Sequence, residues 1–386
     1  MSSTGHTRRP GDHHHTADDG PVGDTGGDSP LAGPGVRVAL TRAGTPFGTA
    51  LAERLAAGGA EVVGLDERVG QSPGVAWRSV DPGSPAVLEH LEDVDVLVHL
   101  AWEPDLQAAL AEQPAVRRTR QVRTVRTLVT AAAAAGVRRL VVVTSGMIHG
   151  ARPDNLVPLP EDSPLRTTDT EGLVADLVAV EQELAARGAT RAGPQVILLR
   201  PGALVGPGVD TMITRHFEAP RLLTLRGTRP AWSFCHVDDL ASALLVLARA
   251  VQVPSELAVS SWGSLSQQEV EELSGMRHVE LSESSAHSAA DRLHRLGAVP
   301  VPASDLAYVA HPWVAEPHRL AALGWQPAHD NAACLATLLD QVRGHRAVMA
   351  RRLRSRDAVG AAAGAASAAV AVIATAALLR RRRGRD

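Results

Sequence analysis

Short apolar runs alternate with amphipathic stretches through the first half of the chain after residue 35. Apolar runs between turn-forming residues predict buried strands, and they cover residues 36–41, 61–66, 75–80, 94–101, 140–144 and 196–200. Apolar positions three or four residues apart predict helices at 46–58, 116–136 and 171–187. Strands alternating with helices are typical of a doubly wound parallel sheet with helices on both faces. The pattern therefore predicts an α/β fold.

The segments on either side of this region have different compositions. Residues 1–33 are rich in Gly, Asp, His, Pro, Ser and Thr, so we expect them to be disordered because they cannot bury enough apolar surface. Residues 34–205 contain the predicted sheet and form its domain. Residues 206–345 are more irregular and rich in Pro, which predicts a smaller lobe, interleaved with the first, over the carboxyl edge of the sheet, where ligands bind in such folds.

The C-terminal part of the chain contains a long uncharged segment. After a basic linker at 346–357, residues 358–379 are 22 residues without a charge, followed by a basic tail at 380–386. A helix of that length spans about 33 Å, the thickness of a bilayer core. No apolar segment follows the start, so we expect a cytoplasmic domain anchored by this transmembrane helix. The alternative is an Ala-rich helix that lies on a surface or pairs with a second copy, in a homodimer, through Gly360 and Gly364.

Composition excludes several classes of chemistry. The chain contains no lysine, which rules out a Schiff base or a P-loop. A net charge of -3 gives no general attraction to nucleic acid. Cys235 and Cys334 lie far apart and form no C-x-x-C pair, which argues against a metal cluster. We predict no metal site and no nucleic-acid partner.

A strand–turn–helix segment carries the first motif. Residues 41–48 are T-R-A-G-T-P-F-G, Asp66 and Asp81 follow the second and third predicted strands, and residues 98–101 are V-H-L-A. This arrangement resembles the NAD-dependent epimerase/dehydratase family, the extended short-chain dehydrogenases/reductases, whose Rossmann domain opens with T-G-A-x-G-x-x-G. Further segments extend the resemblance over residues 36–343. They are T-S-G-M-I-H-G at 144–150, L-R-P-G-A-L-V-G-P-G at 199–208, F-C-H-V-D-D-L at 234–240 and L-G-W-Q-P at 323–327.

The resemblance implies a site for NAD or NADP. The positions that it assigns to the cofactor are Arg42, Thr45, Phe47, Gly48, Asp66, Asp81, Leu100, Ala101 and Pro201. Arg42 and Thr45 occupy two glycine positions, where side chains crowd the turn beside the pyrophosphate. We therefore expect dinucleotide binding to be weakened or lost. Arg42 either neutralises Asp66 or contacts the 2′-phosphate of NADP.

The catalytic residues of the family are largely replaced. The family uses a tyrosine as general acid or base and a lysine four residues later that lowers the tyrosine pKa. Alignment on E-Q-E-L at 181–184 places Leu173 and Leu177 in these two positions. We interpret the leucine pair as the face that packs this helix against the core. Ser145 keeps the position of the family's serine, and we expect it to cap the strand end or contact a ligand.

Three functions remain open at this point. The first is a nucleotide-binding sensor or scaffold at a membrane, without Tyr/Lys catalysis and with a dinucleotide and a further small molecule as ligands. The second is an active oxidoreductase or epimerase with substituted groups, such as His149 or Asp176. The third is an interaction module that binds no nucleotide.

Overall fold

Seven parallel strands form the central sheet of the computed structural model, which describes residues 35–102, 106–167, 172–187, 193–219, 221–295 and 303–355. The strands are β1 Arg37–Thr41, β2 Glu61–Asp66, β3 Val75–Ser79, β4 Val96–Leu100, β5 Arg139–Val143, β6 Gln195–Pro201, β7 Ala203–Val205, β8 Leu222–Leu225, β9 Ala231–Trp232, β10 Phe234–His236, β11 Glu256–Val259, β12 Leu265–Ser266 and β13 His278–Leu281. The helices are α1 Pro46–Ala57, α2 Leu106–Ala111, α3 Pro114–Ala134, α4 Gly172–Arg187, α5 Met212–Glu218, α6 Val237–Arg249, α7 Gln267–Ser274, α8 Glu283–Arg295, α9 Ala307–Ala310, α10 His318–Ala321 and α11 Asn331–Ser355.

The order of the strands confirms the predicted doubly wound sheet. The order is β11-β6-β5-β4-β1-β2-β3, and every neighbouring pair is parallel. Successive strands run outward from β1 in one direction and from β4 in the other. The reversal creates a crevice at the carboxyl ends of β1 and β4, which is where such folds bind ligands.

Each strand of the sheet is apolar on both faces because helices cover both. Val38 and Leu40 of β1 belong to the same core cluster as Leu51 of α1. Ala39, between them, points the other way and belongs to the cluster that contains Val125 of α3. Helices α1 and α6 pack together on the first face, and α3 and α4 pack together on the second. This double burial explains why the strands appear in the sequence as continuous apolar runs.

Strands from both sides of residue 205 contribute to the central sheet. All described residues belong to one unit by Cα proximity, because β11 pairs with β6 and completes the central sheet. Three two-stranded sheets are added beside it, with β7–β10 and β8–β13 parallel and β9–β12 antiparallel. The sequence pattern did not predict β11, since four residues carry little periodic signal.

The structure describes only part of the C-terminal segments that the sequence analysis predicts. Helix α11 continues as far as Ser355, so most of the segment predicted as a linker is helical. The disordered segment predicted at 1–33, the transmembrane helix at 358–379 and the tail at 380–386 lie outside the described residues. Within the described ranges, none of the helices combines the length and apolar character that crossing a bilayer requires.

Candidate functional site

The turn between β1 and α1 holds the altered glycine motif. Arg42 adopts a positive φ of 56°, the left-handed region that glycine enters without steric cost. Thr45 is the N-cap of α1: its hydroxyl accepts from the Gly48 N–H at 3.0 Å and donates to the Arg42 carbonyl at 2.8 Å. With 1% of its surface exposed, Thr45 is turned into the helix end. Of the two substituted positions, Arg42 therefore carries the backbone strain and Thr45 stabilises the helix.

Two glycines fix close packing at the same turn. A Cβ on Gly48 would lie 2.0 Å from the Arg42 carbonyl oxygen, so a side chain there would displace the turn. A Cβ on Gly208, whose φ is +78°, would lie 2.5 Å from the Phe47 nitrogen. The loop before α5 thus covers the first turn of α1. Pro46 at that turn has no N–H to offer an anion.

Replacing Arg42 with glycine is expected to raise the free energy of unfolding by about 1 kcal/mol, because glycine adopts this φ without the penalty that other residues meet. Urea unfolding of the full chain measures the effect. Arg68→Gly is the control, since the φ of Arg68 is not positive, and it is expected to lower stability. If Arg42→Gly is less stable than the parent, contacts of the Arg42 side chain outweigh the strain.

A polar cleft of about 860 Å³, open to solvent, lies at the carboxyl ends of β1, β2 and β3. Its lining residues are Arg42, Thr45, Asp66, Glu67, Arg68, Asp81, Pro82, His99, Arg120 and Thr124. The Asp66 carboxylate is fixed by the Gly44 N–H at 3.1 Å and the Arg68 N–H at 2.9 Å. Asp81 is exposed and accepts from the Gly83 N–H at 2.8 Å. The structure thus brings Arg42, Asp66 and Asp81 together, as the resemblance implies.

The charges of this cleft are mixed. Arg120 forms an ion pair of 2.7 Å with Glu112, and Arg68 lies 3.9 Å from Asp66. His99 is buried and its Nδ1 lies 2.9 Å from the Thr41 hydroxyl. Burial, and then the charges of Arg42 and Arg120, lower the pKa of His99 to about 3. His99 is therefore neutral in the physiological range and fixes the strand ends through a hydrogen bond.

A second, mainly apolar pocket of about 670 Å³, partly open to solvent, lies beyond β4, β5 and β6. Its lining residues are Trp102, Leu106, Gln121, Thr144, Ser145, Met147, Leu173, Val174, Leu177, Pro201, Gly202, Ala203, Leu204, Asp210, Thr211, Met212, Ile213 and Trp313. Leu173 is half-buried and Leu177 is 4% exposed. Leu177 also packs in the core, as predicted, but both leucines contribute to the pocket wall. The two leucines that the resemblance places in the acid–base positions thus line this pocket.

Ser145 and Thr144, two polar residues of this pocket, already have structural partners. The Ser145 hydroxyl accepts from the Met147 N–H at 3.2 Å and caps a short 3₁₀ helix. The Thr144 hydroxyl donates to Glu181 at 2.6 Å, and Arg200 forms an ion pair of 2.7 Å with the same carboxylate. Ser145 thus lines the pocket as a helix cap.

The two candidates for substitute catalysis lie in other environments. His149 is 2% exposed and is not one of the residues that line the apolar pocket. Burial, and then the charge of Arg200, lower its pKa to about 4, so it is neutral near pH 7. Asp176 is fully buried and held by Arg117 at 2.6 Å and Arg118 at 2.9 Å. Neither side chain is placed to exchange a proton with a ligand in the pocket.

The remaining cofactor positions are parts of the core or of the pocket wall. Phe47 is buried in α1 and its ring centroid lies 6.1 Å from that of Trp102. Leu100 and Ala101 are buried in the core, and Pro201 lines the apolar pocket. Sequence reasoning missed Trp102, although an aromatic residue two positions after the end of β4 was a usable signal.

One cluster of possible metal ligands occurs among the described residues. Ligand atoms of His236, Asp238 and His329 lie within 4.8 Å of one another. However, Asp238 pairs with Arg54, and His236 Nδ1 accepts from the Asp238 N–H as the N-cap of α6. These bonds give the cluster a structural role. The absence of a metal site stays a prediction.

The residues present fit the two ends of a dinucleotide better than its middle. The polar cleft holds Asp66, whose carboxylate retains lone pairs beyond the two that accept backbone N–H groups. The apolar pocket has Pro201 and Ser145 in its wall. Between them, Pro46 and the overlying Gly208 reduce the backbone N–H groups available to a pyrophosphate.

Comparison with solved structures shows the same fold in sugar-nucleotide enzymes. MoeE5, in complex with UDP-glucuronic acid and NAD, is 22% identical with a TM-score of 0.59, covering 80% of this chain and 99% of that one. DesIV, a dTDP-glucose 4,6-dehydratase from Streptomyces venezuelae with NAD and TYD bound, is 18% identical with a TM-score of 0.60, covering 81% and 98%. UDP-glucose 4-epimerase from Bifidobacterium longum, in complex with NAD+ and UDP, is 16% identical with a TM-score of 0.59, covering 81% and 99%. At these identities the likeness concerns the fold alone.

Sequence comparison adds relatives and a family. Uncharacterized proteins of Mycobacterium tuberculosis (strain ATCC 25618 / H37Rv) and Mycobacterium bovis (strain ATCC BAA-935 / AF2122/97) are 30% identical over 111 residues, which are 29% of this chain. The match spans 30% of the length of these curated relatives. The model of the NAD dependent epimerase/dehydratase family matches residues 46–259, more than half of the chain. The chain therefore belongs to the NAD-dependent epimerase/dehydratase family.

Proposed function

We propose that this chain binds a dinucleotide and acts as a sensor or scaffold, without the tyrosine–lysine catalysis of its family. The observation that carries the proposal is the pair Leu173 and Leu177, which line the apolar pocket at the positions of the acid–base pair. A leucine has no proton to exchange, and the chain has no lysine to lower the pKa of another group. General acid–base catalysis contributes about 10²–10⁴-fold to a rate, so its loss leaves little turnover.

NAD is the dinucleotide that the site favours. Three of the similar structures contain NAD, and Asp66 lies where a carboxylate accepts from the ribose hydroxyls. NADP is the alternative, because Arg42 and Arg68 line the same cleft and guanidinium groups pair with phosphate. The nicotinamide ring of either cofactor supplies hydride chemistry when bound. The residues of this chain would hold the adenosine end in the polar cleft and exclude water from the ring in the apolar pocket.

The environment of the candidate substitute groups argues against an active enzyme with different catalytic residues. Asp176 is neutralised by two arginines, and the apolar pocket does not include His149. The scaffold role includes the predicted membrane attachment through residues 358–379, and pairing with a second copy is the alternative for this segment.

An interaction module without nucleotide is a second candidate function. The observation that favours it is the cover over the first turn of α1, where Gly208 lies against Pro46 and Phe47. This loop occupies space beside the helix end at which the pyrophosphate of a dinucleotide binds in Rossmann folds.

Titration calorimetry of the full chain with NAD, NADH, NADP and NADPH tests the proposal. We expect NAD to bind, and Asp66→Asn to weaken binding about tenfold because a charge-assisted hydrogen bond to the ribose is lost. With UDP-glucose or UDP-galactose and NAD, we expect less than about 1 turnover per second, below the ordinary range of enzymes.

The matched control is Asp162→Asn, because Asp162 is exposed and lies outside the cleft. Thermal melts of both variants confirm that they fold. Turnover above the stated value would support the active-enzyme alternative. The absence of binding by all four dinucleotides would support the interaction module.

A further inference from the structure

Backbone N–H groups of the turn between β1 and α1 are already engaged within the protein. The Gly44 N–H donates to the Asp66 carboxylate at 3.1 Å. The Thr45 N–H donates to the Arg42 carbonyl at 3.1 Å, and the Gly48 N–H donates to the Thr45 hydroxyl at 3.0 Å. In Rossmann folds the backbone N–H groups at this helix start bind the pyrophosphate. Here these three groups have other acceptors.

The two remaining positions of the first helical turn are blocked in a different way. Pro46 has no N–H, and a Cβ on Gly208 would lie 2.5 Å from the Phe47 nitrogen, so the loop before α5 covers that nitrogen. A diphosphate at this turn would give up hydrogen bonds to water and gain few from the backbone. It therefore requires donors from a side chain.

Arg42 provides such donors at the crevice of the sheet. It follows β1 directly, and β1 pairs with β4, so Arg42 lies where the ends of these two strands meet. Arg42 lines the polar cleft together with His99 and Arg120. After burial, the Arg42 charge is the main cause of the lowered pKa of His99. It also adds to the lowered pKa of Glu112, after the hydrogen bond from Arg120 and the charge of Arg117. The Arg42 charge therefore acts on groups at the end of β4 and before α3.

The backbone of Arg42 is held in a conformation that glycine adopts more easily. In the described part of the chain, Arg42 and Asp93 are the two non-glycine residues with a positive φ. Backbone strain of this kind is concentrated at functional sites. The other substituted glycine position is explained by its helix cap, since the Thr45 hydroxyl accepts from the Gly48 N–H. No such capping bond accounts for an arginine at position 42, so its side chain points to a ligand.

We infer that Arg42 binds the diphosphate of the nucleotide through its guanidinium group, in place of the backbone N–H groups of the turn. A guanidinium presents a planar fork of N–H donors that matches phosphate oxygens. This assignment excludes a role for Arg42 at the 2′-phosphate of NADP. That phosphate belongs to the ribose that Asp66 would contact, and the arginine beside the Asp66 carboxylate is Arg68, at 3.9 Å. The inference rests on the proposed function, in which the cleft holds the adenosine end of a dinucleotide, and it names the residue that binds the phosphates.

Titration calorimetry of the full chain with adenosine, ADP and 2′-AMP tests the inference. Arg42→Gly removes the charge and relieves the backbone strain, whereas Arg42→Gln removes the charge and keeps a side chain at the strained position. We expect both variants to bind ADP about tenfold more weakly than the parent, because charge-assisted hydrogen bonds to the diphosphate are lost. Adenosine and 2′-AMP carry no diphosphate, so their affinities should stay within about twofold of those of the parent.

The matched control is Arg226→Gln, because Arg226 is exposed, pairs with Glu280 and lies outside the cleft. It should bind ADP as the parent does, and thermal melts verify that all three variants fold. If the Arg42 side chain only crowds the turn, Arg42→Gly would bind ADP more tightly than the parent. That result overturns the inference, as does unchanged ADP affinity in either Arg42 variant. It is also overturned if the parent does not bind ADP, or if the variants lose as much affinity for 2′-AMP as for ADP.

A parallel titration with NAD distinguishes this inference from the proposed function. Binding of ADP that depends on Arg42, without binding of NAD, would contradict the dinucleotide proposal and leave the role of Arg42 standing. Binding of NAD that depends on Asp66, with ADP affinity unaffected by both Arg42 variants, would have the opposite meaning.

Discussion

Replacing Asp176 with alanine is expected to lower the free energy of unfolding by about 3–5 kcal/mol. The Arg117 side chain is 2% exposed and that of Asp176 is 1% exposed, and their ion pair of 2.6 Å joins α3 to α4. Loss of the carboxylate would leave the Arg117 guanidinium buried without its counter-charge. Arg118, at 2.9 Å from the other carboxylate oxygen, loses its partner as well. Urea unfolding monitored by circular dichroism measures the loss.

The control for this variant is Asp154→Ala, at an exposed carboxylate that pairs with Arg166 at 2.6 Å. Exposed ion pairs contribute about 0–1 kcal/mol, so this variant should stay close to the parent protein. A loss below about 1 kcal/mol in Asp176→Ala would contradict the assignment of this pair as a buried connection. It would also restore Asp176 as a group free to act in catalysis.

Lowering the pH from 7.5 to 5 is expected to destabilise the protein by about 6 kcal/mol through three buried histidines, about 2 kcal/mol for each. Burial lowers the pKa of His99 to about 3 and the pKa values of His149 and His216 to about 4. In the unfolded chain a histidine binds its proton near pH 6.5. The unfolded state therefore takes up protons over this window while the folded state does not. Stability is fully present above pH 6.5 and falls as the pH approaches the folded-state values.

The variant His216→Phe isolates one part of this acid effect. The His216 ring stacks on Trp232 at 5.5 Å, and its Nε2 is buried without a partner in the described part of the chain, so phenylalanine keeps the packing and removes the titration. The difference in unfolding free energy between pH 7.5 and pH 5 should shrink by about 2 kcal/mol. The parent protein, measured at the same two pH values, is the control. Equal pH dependence in His216→Phe and the parent would contradict the buried neutral state of His216.

Most of the sheet could be predicted from the sequence because its strands are buried on both faces. Leu140 and Val142 pack toward one helical layer and Val141 and Val143 toward the other, so the whole run is apolar and visible without any partner. By contrast, β11 is a short run at the edge of the sheet. β11 pairs with β6, which lies about 60 residues earlier in the chain. A local pattern of apolar residues does not indicate so distant a pairing.

The sequence predicts those parts of the candidate site whose residues lie at the carboxyl end of a strand. Asp66 is the last residue of β2 and Asp81 follows the end of β3 by two residues. Parallel strands bring such ends to one edge of the sheet, so the polar cleft was predicted in outline. The roles of Arg42 and Thr45 could not be predicted from the sequence. Both stand at altered glycine positions, yet only the backbone dihedral of Arg42 and the cap hydrogen bonds of Thr45 distinguish strain from stabilisation.

The sequence by itself determined the fold class and the absence of lysine, because hydrophobic periodicity and residue identity are local properties. The tertiary structure decided which side chains are available to contact a ligand. Asp176 is removed from the site by Arg117, which is 59 residues away. His149 is buried and does not line the apolar pocket. Gln121 and Trp102 do line it, and each keeps one buried polar atom without a partner among the described residues. Burial and ion pairing depend on partners distant along the chain, so only the folded structure reveals them.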